Sequence, residues 1–79
     1  MEEKEEEIFD LLVEKYPGIV TDRFEAEDIA FEINKLFNEN KCEERGLEAE
    51  IIFLLNEKGK SVLDSKNGRE FLDSLLELC

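Results

Sequence analysis

Apolar residues three and four apart, set among carboxylates, recur along this chain, and that spacing leaves few folds open to it. Ile8, Phe9, Leu12, Val13 and Tyr16 fall on one face at helical period. Ala26, Ile29, Ala30, Ile33, Leu36 and Phe37 repeat the pattern, and so do Phe71, Leu72, Leu75 and Leu76. A half-buried strand would alternate its apolar residues instead. The first stripe predicts a helix over 2–16, stopped by Tyr16-Pro17-Gly18. Ile19, Val20 and Thr21 read as a short extended connection. Asp22 with Glu25 forms a capping box for a second helix over about 23–38. Asn38, Asn40 and Gly46 mark the next connection, and Asn67 with Glu70 is a second box, opening a last helix to about Leu78.

Residues 47–64 admit two readings. Leu47, Ile51, Leu54 and Leu55 keep helical spacing, and Gly59 suits a helix C-terminus. Yet Ile51 to Leu55 is a continuous apolar run, and Asn56-Glu57-Lys58-Gly59 also suits a hairpin loop. The helical reading is preferred. The expectation is a single all-α domain over 1–79, a compact three- to four-helix bundle with a short helical turn near Ser61, with no evident internal repeat or linker. The alternative is α+β, with a small hairpin at residues 48–64 and a winged-helix-like outline.

Charge decides which functions such a bundle can serve. The 79 residues hold 22 Asp+Glu against 10 Lys+Arg and no His, a formal charge of −12. Phosphates repel such a polyanion, so direct nucleic-acid binding is not expected. No apolar run approaches the ~18 residues of a membrane helix, and the acidic start lacks the look of a leader, so the expected location is the cytoplasm. At 42% apolar the chain is too hydrophobic for a disordered acidic tail. Cys42 and Cys79 form no metal-binding spacing; the preferred reading is two thiols in a reducing cytosol, the alternative one disulfide closing residues 42–79.

Catalytic equipment is lacking. Without His there is no common general base and no helical Glu-x-x-His metal pair, and the four glycines, at 18, 46, 59 and 68, form no phosphate loop. The many carboxylate pairs are those that 22 acids produce by chance. Asp64-Ser65-Lys66-Asn67-Gly68 resembles a calcium loop but fails on register: with Gly68 at loop position six, Leu63 takes the first ligand position. No catalytic, cofactor or metal site is therefore assigned. In size and charge alone the chain resembles an acyl carrier protein, a helical bundle whose Asp-Ser-Leu attachment motif opens the second helix; the resemblance is not claimed as membership. Asp22-Arg23-Phe24 stands in that place here, and the tripeptide occurs only as Asp73-Ser74-Leu75 inside the last helix.

Recognition of another protein is the expected role. Residues 1–16 carry the largest negative excess, and Glu3, Glu7, Asp10 and Glu14 stack into one ridge opposite the apolar face. On the second helix Phe24 and Phe31 lie off the core stripe, beside Glu27, Asp28 and Lys35. Phe24 is read as core packing near the helix start, while Phe31 is either part of a second buried face or an exposed anchor, and Phe53 poses the same choice. The candidate surface is Glu3, Glu7, Asp10, Glu14, Asp28, Phe31 and Glu32: carboxylates to steer a basic partner and an aromatic to anchor it. Basic surfaces belong above all to proteins that handle nucleic acid. The expected partner is such a protein or a nuclease, with this domain as an inhibitor, immunity or phage counter-defence protein, or a mimic of DNA charge. The competing reading is an adaptor whose acidity serves solubility; a carrier protein or winged-helix transcription regulator ranks lower, the latter because residues 17–59 are net −6.

Overall fold

Glu3, Glu5 and Glu6 occupy the first turn of the first helix, where the positive end of the helix dipole favours them. A computed structural model of the protein describes residues 2–20, 22–40, 42 and 44–79. In it α1 spans Glu3–Asp10 and continues as a π-helical segment, Leu11–Lys15. The wider turn is closed by the Tyr16 N–H donating to the Leu11 carbonyl, 2.9 Å away and five residues back. It acts on the residues after Leu11, which itself follows Ile8 by three residues at ordinary helical spacing. Leu11, absent from the expected stripe, is buried with Ile8, Phe9 and Leu12, while Val13 and Tyr16 are half-buried.

The chain then turns at Pro17–Ile19, closed by the Ile19 N–H on the Tyr16 carbonyl, rather than running extended; Val20 is buried and Thr21 lies outside the described residues. α2 spans Arg23–Asn40. Asp22 caps it as expected, Oδ1 accepting from the Phe24 N–H at 2.9 Å. The reciprocal half of the box is replaced by another bond: Glu25 pairs with Lys60 at 2.6 Å.

α3 spans Glu44–Glu57, so the preferred reading of this region holds, and no strand exists among the described residues. Gly59 ends the helix at φ +76°, a left-handed conformation that glycine takes without penalty. Its N–H donates to the Asn56 carbonyl and the Lys60 N–H to the Leu55 carbonyl at 2.7 Å, the paired bonds of a Schellman motif. The expected helical turn near Ser61 is instead a series of bends, residues 62–65, that buries Val62.

α4 spans Lys66–Glu77, and its cap is Ser65, not Asn67: Ser65 Oγ accepts from the Gly68 N–H at 3.0 Å. The reason is packing. The backbone of buried Val62 lies so close that a Cβ on residue 68 would stand 2.7 Å from Val62 Cα, so the first turn forms where the glycine is.

One core joins the four helices. Ala26, Ile29, Ala30, Ile33 and Phe37 of α2 meet Ile8, Leu12, Leu47, Ile51, Leu55, Phe71 and Leu75, all buried. The accessible surface is 5136 Å², close to the ~4,900 Å² that surface scaling gives for a compact chain of this mass. Polar ties bind the ends. Lys4 Nζ donates to the Leu78 carbonyl, and Asn34, 6% exposed, donates to Glu2 at 2.7 Å. Cys42 and Cys79 are joined in a disulfide, Cα atoms 5.5 Å apart, which corrects the preferred reading of two thiols: the fold brings the end of α4 to the α2–α3 turn, a proximity their spacing in the sequence does not reveal. The bond fastens α4 to the α2–α3 turn, where Cys42 takes φ +65°.

The bond closes a loop with a sequence separation of 37, so its loss should cost about 2–4 kcal/mol through the unfolded state. Denaturant unfolding with and without reductant measures this. A lowered midpoint is expected; coincident curves would show that the bond contributes nothing.

Candidate partner-binding surface

The central position of α2 does not bury all its aromatics. Phe24 is 80% exposed, Phe31 57%, and Phe53 on α3 64%. Phe24 was expected in the core, and the structure corrects this. Once Ala26, Ile29 and Ala30 face inward, residue 24 lies with Glu27, Asp28 and Phe31 on the opposite side, and all four are exposed. For Phe31 and Phe53 the open choice falls on the exposed side.

Phe31 stands between two depressions. One, about 530 Å³, is shared with Glu2 and Glu5 of the α1 region and with Asn34, Lys35 and Asn38 of α2. The other, about 390 Å³, lies between α2 and α3. Its α2 wall is Phe31, Glu32, Lys35, Leu36 and Glu39; its α3 wall is Glu50, Phe53, Leu54 and Glu57. Both walls follow one pattern. The α2 residues Glu32, Ile33, Leu36, Asn38 and Glu39 recur eighteen positions later as Glu50, Ile51, Leu54, Asn56 and Glu57. The two isoleucines are fully buried, the two leucines half-buried on the groove floor, and Glu39 and Glu57 exposed. This short similarity, Glu-Ile-x-x-Leu-x-Asn-Glu, corrects the reading of a chain without internal repeat, but it points to a groove only once the two helices are known to be neighbours. An apolar period count misses it because it scores burial and ignores the identity of the polar residues.

Ion pairs place the end of α3 beside the first half of α2. Lys58 reaches Glu32 at 2.8 Å and Asp28 at 3.4 Å, and Lys60 reaches Glu25. The two groove helices are therefore antiparallel. The hydrogen bond that Lys58 donates to Glu32, helped by a second to Asp28 and by the charges of both, raises the Lys58 pKa above its ordinary 10.5 against the opposing effect of burial. The stability this contributes is complete below pH 10.5 and is lost as pH climbs past the raised value. Asp28 and Glu32, both expected to add to the steering field, thus spend part of their charge on Lys58.

The ridge on α1 is only partly as expected. Glu3, Glu7 and Glu14 are exposed, with Lys4 3.7 Å from Glu7. Asp10 is half-buried rather than free in solvent, because it lines a further depression with Phe9, Val13, Glu14, Arg23 and Glu27. Arg23 covers that site, its guanidinium 5.3 Å from the centre of the Phe9 ring. The structure does not gather the seven candidate residues into one patch: Phe31 and Glu32 line the α2–α3 groove, and Asp10 and Glu14 line the depression under Arg23.

Two other sequence motifs are occupied by structural bonds. Ser74 is half-buried and shares a 2.9 Å hydrogen bond with the Tyr16 hydroxyl, so its oxygen is engaged against the bundle. Asp64 accepts from Ser61 at 2.8 Å within the bend. Another depression, about 630 Å³, lies between the turns at Gly18 and Gly59 and the start of α4 at Lys66, and none of the candidate acids lines it. No helix among the described residues is long and apolar enough to cross a membrane.

No known protein family matches the chain, and no curated protein and no solved structure matches it significantly.

The exposures separate surface from core in a way that thermal unfolding can read. Phe31→Ala and Phe53→Ala should each change stability by no more than about 0.5 kcal/mol, whereas Ile33→Ala should cost about 2–5 kcal/mol. Early melting of either phenylalanine variant would return that ring to the core.

Proposed function

We propose that this domain is a non-enzymatic binding protein that docks on a basic, nucleic-acid-handling protein, such as a nuclease, and neutralises it, in the manner of an inhibitor, immunity or phage counter-defence protein. The observation that supports this most is the pair of phenylalanines left in water among carboxylates, on a chain of charge −12. A monomer gains nothing from leaving two large rings exposed. A partner that covers them gains a desolvated anchor, while the carboxylates favour basic surfaces and repel acidic ones. The remote ridge of Glu3, Glu7 and Glu14 then acts through its field rather than by contact, drawing the partner in. Mimicry of DNA charge is one form this neutralisation takes.

This reading sets the domain in the cytoplasm, where nucleic-acid enzymes work. The Cys42–Cys79 bond pulls the other way, since lasting disulfides belong to oxidising compartments. Binding is therefore to be measured on both the oxidised and the reduced protein.

Capture from host cells, or from cells under phage attack, tests the class of partner. A nucleic-acid enzyme as the dominant prey supports neutralisation; stable assembly with a housekeeping complex supports an adaptor. Kinetics with the captured partner test the mechanism. Glu7→Lys with Glu14→Lys should slow association several-fold at low salt, and the deficit should vanish near 0.5 M salt, where the Debye length falls to about 4 Å. Phe31→Ala should instead speed dissociation, at a cost of about 2 kcal/mol. Unchanged association after charge reversal would reduce the acidity to a solubility device.

A further inference from the structure

The Cys42–Cys79 bond joins two stretches that the core does not enclose. The buried residues of α4 are Gly68, Phe71, Leu72 and Leu75. Beyond them Leu76, Leu78 and Cys79 are half-buried and Glu77 is exposed. The last backbone bonds there run three residues back, from Leu78 to Leu75 and from Cys79 to Leu76 at 3.3 Å, the weaker geometry of a fraying helix end. On the other side, Phe37 is the last buried residue of α2 and Leu47 the first of α3. Between them the described side chains, at 38, 39, 42 and 46, are all exposed. Cys42 also stands at φ +65°, a conformation unfavourable for any residue but glycine, so its backbone gains from release. Apart from the disulfide, Lys4 ties the end of α4 through the Leu78 carbonyl, and Lys4 has a second partner at hand in Glu7, 3.7 Å away.

We infer that this disulfide is a redox-sensitive clasp: a thiol reagent opens it at Cys42, and opening frees residues 76–79 and the α2–α3 turn while the core stays folded. The inference stands apart from the identity of any partner. A bond that staples a core lies among buried side chains; exposed bonds are the ones that exchange readily and regulate. Here Cys42 is exposed and Cys79 half-buried, so attack falls on Cys42 Sγ. The attacking thiolate forms a new S–S bond to Cys42 as the bond to Cys79 breaks. Cys79 leaves as a thiolate and takes a proton from water. A second thiolate then attacks the reagent's sulfur in that mixed disulfide and releases the Cys42 thiolate. Two reagent thiols are oxidised to one disulfide, and the protein's disulfide is reduced to two thiols. The reverse exchange, with the reagent's disulfide, closes the clasp. In a reducing compartment the clasp therefore rests open, and oxidation shuts it.

The test uses the full chain in mixtures of reduced and oxidised glutathione without denaturant. Alkylation and mass measurement count the thiols, and peptide mapping locates the first mixed disulfide. Excess reduced glutathione should open most chains, excess oxidised glutathione should close them again, and the first adduct should sit on Cys42. A bond that opens only once denaturant is added would overturn the clasp and leave a structural staple, and a first adduct on Cys79 would overturn the point of attack. NMR order parameters then read the consequence. At Cys42 and at residues 76–79 they should fall from about 0.85 to below about 0.6 on reduction, while Ile33, Ile51 and Leu72 stay rigid. Cys79→Ser should give the same pattern with no thiol reagent present. Unchanged order parameters at both stretches would overturn the release. Loss of order at Ile33 and Ile51 as well, or a Cys79→Ser protein that does not fold, would overturn its confinement to the clasp.

Discussion

Helix α2 is held along one flank by α1 and along the other by α3, and the bundle depends on that double burial. Ala26 and Ala30 are fully buried on it, and their small side chains allow close packing of neighbours. Ile29 and Ile33 fill the centre, meeting Ile8, Leu12, Ile51 and Leu55 in one core. A chain of 79 residues hides only about 63% of its surface on folding, so one central helix with two buried sides uses its apolar residues efficiently. The consequence falls on α2 itself. Its remaining arc faces solvent, and Phe24 and Phe31 lie on that arc.

Charge is distributed around this frame without being allowed inside it. Asn34 is the one buried polar residue among those described, and its amide is answered by Glu2. The lysines nearest the packed helices are committed: Lys58 to Glu32 and Asp28, Lys60 to Glu25, Lys4 to the Leu78 carbonyl. Scarce cations thus tie helix ends together, and much of the carboxylate surface goes without a cation. Such a surface repels itself, and the disulfide between Cys42 and Cys79 offsets part of that cost by limiting the unfolded chain.

The bundle was legible in the sequence because burial follows helical period: every buried residue of α3 and the stripe of α2 except Leu36, which is half-buried, stand where spacing placed them. Gly59 and Asp22 were legible because cap chemistry is local. Local rules failed where a distant residue intervened. Ser65 caps α4 because Val62 needs Gly68 in the first turn, and nothing near Asn67 reveals that. Leu11 was missed although it stands three residues after Ile8 at ordinary helical spacing, and no propensity marks the π turn at Leu11–Lys15. Of the candidate surface, Phe31 and the exposed ridge were legible as off-stripe residues. The groove was not, because its second wall comes from α3, and Phe53 and Leu54 acquire a role only once the helices are antiparallel neighbours.

Hydrogen exchange on the complex with a captured basic partner tests the central claim most directly, because it reports where the domain is covered without altering a residue. If Phe31 and Phe53 anchor the partner, amides around residues 31–39 of α2 and 50–57 of α3 gain protection, while those of α4 exchange as in the free protein. Protection confined to α4, or to the exposed ridge of α1 with the α2–α3 groove unchanged, would contradict the account.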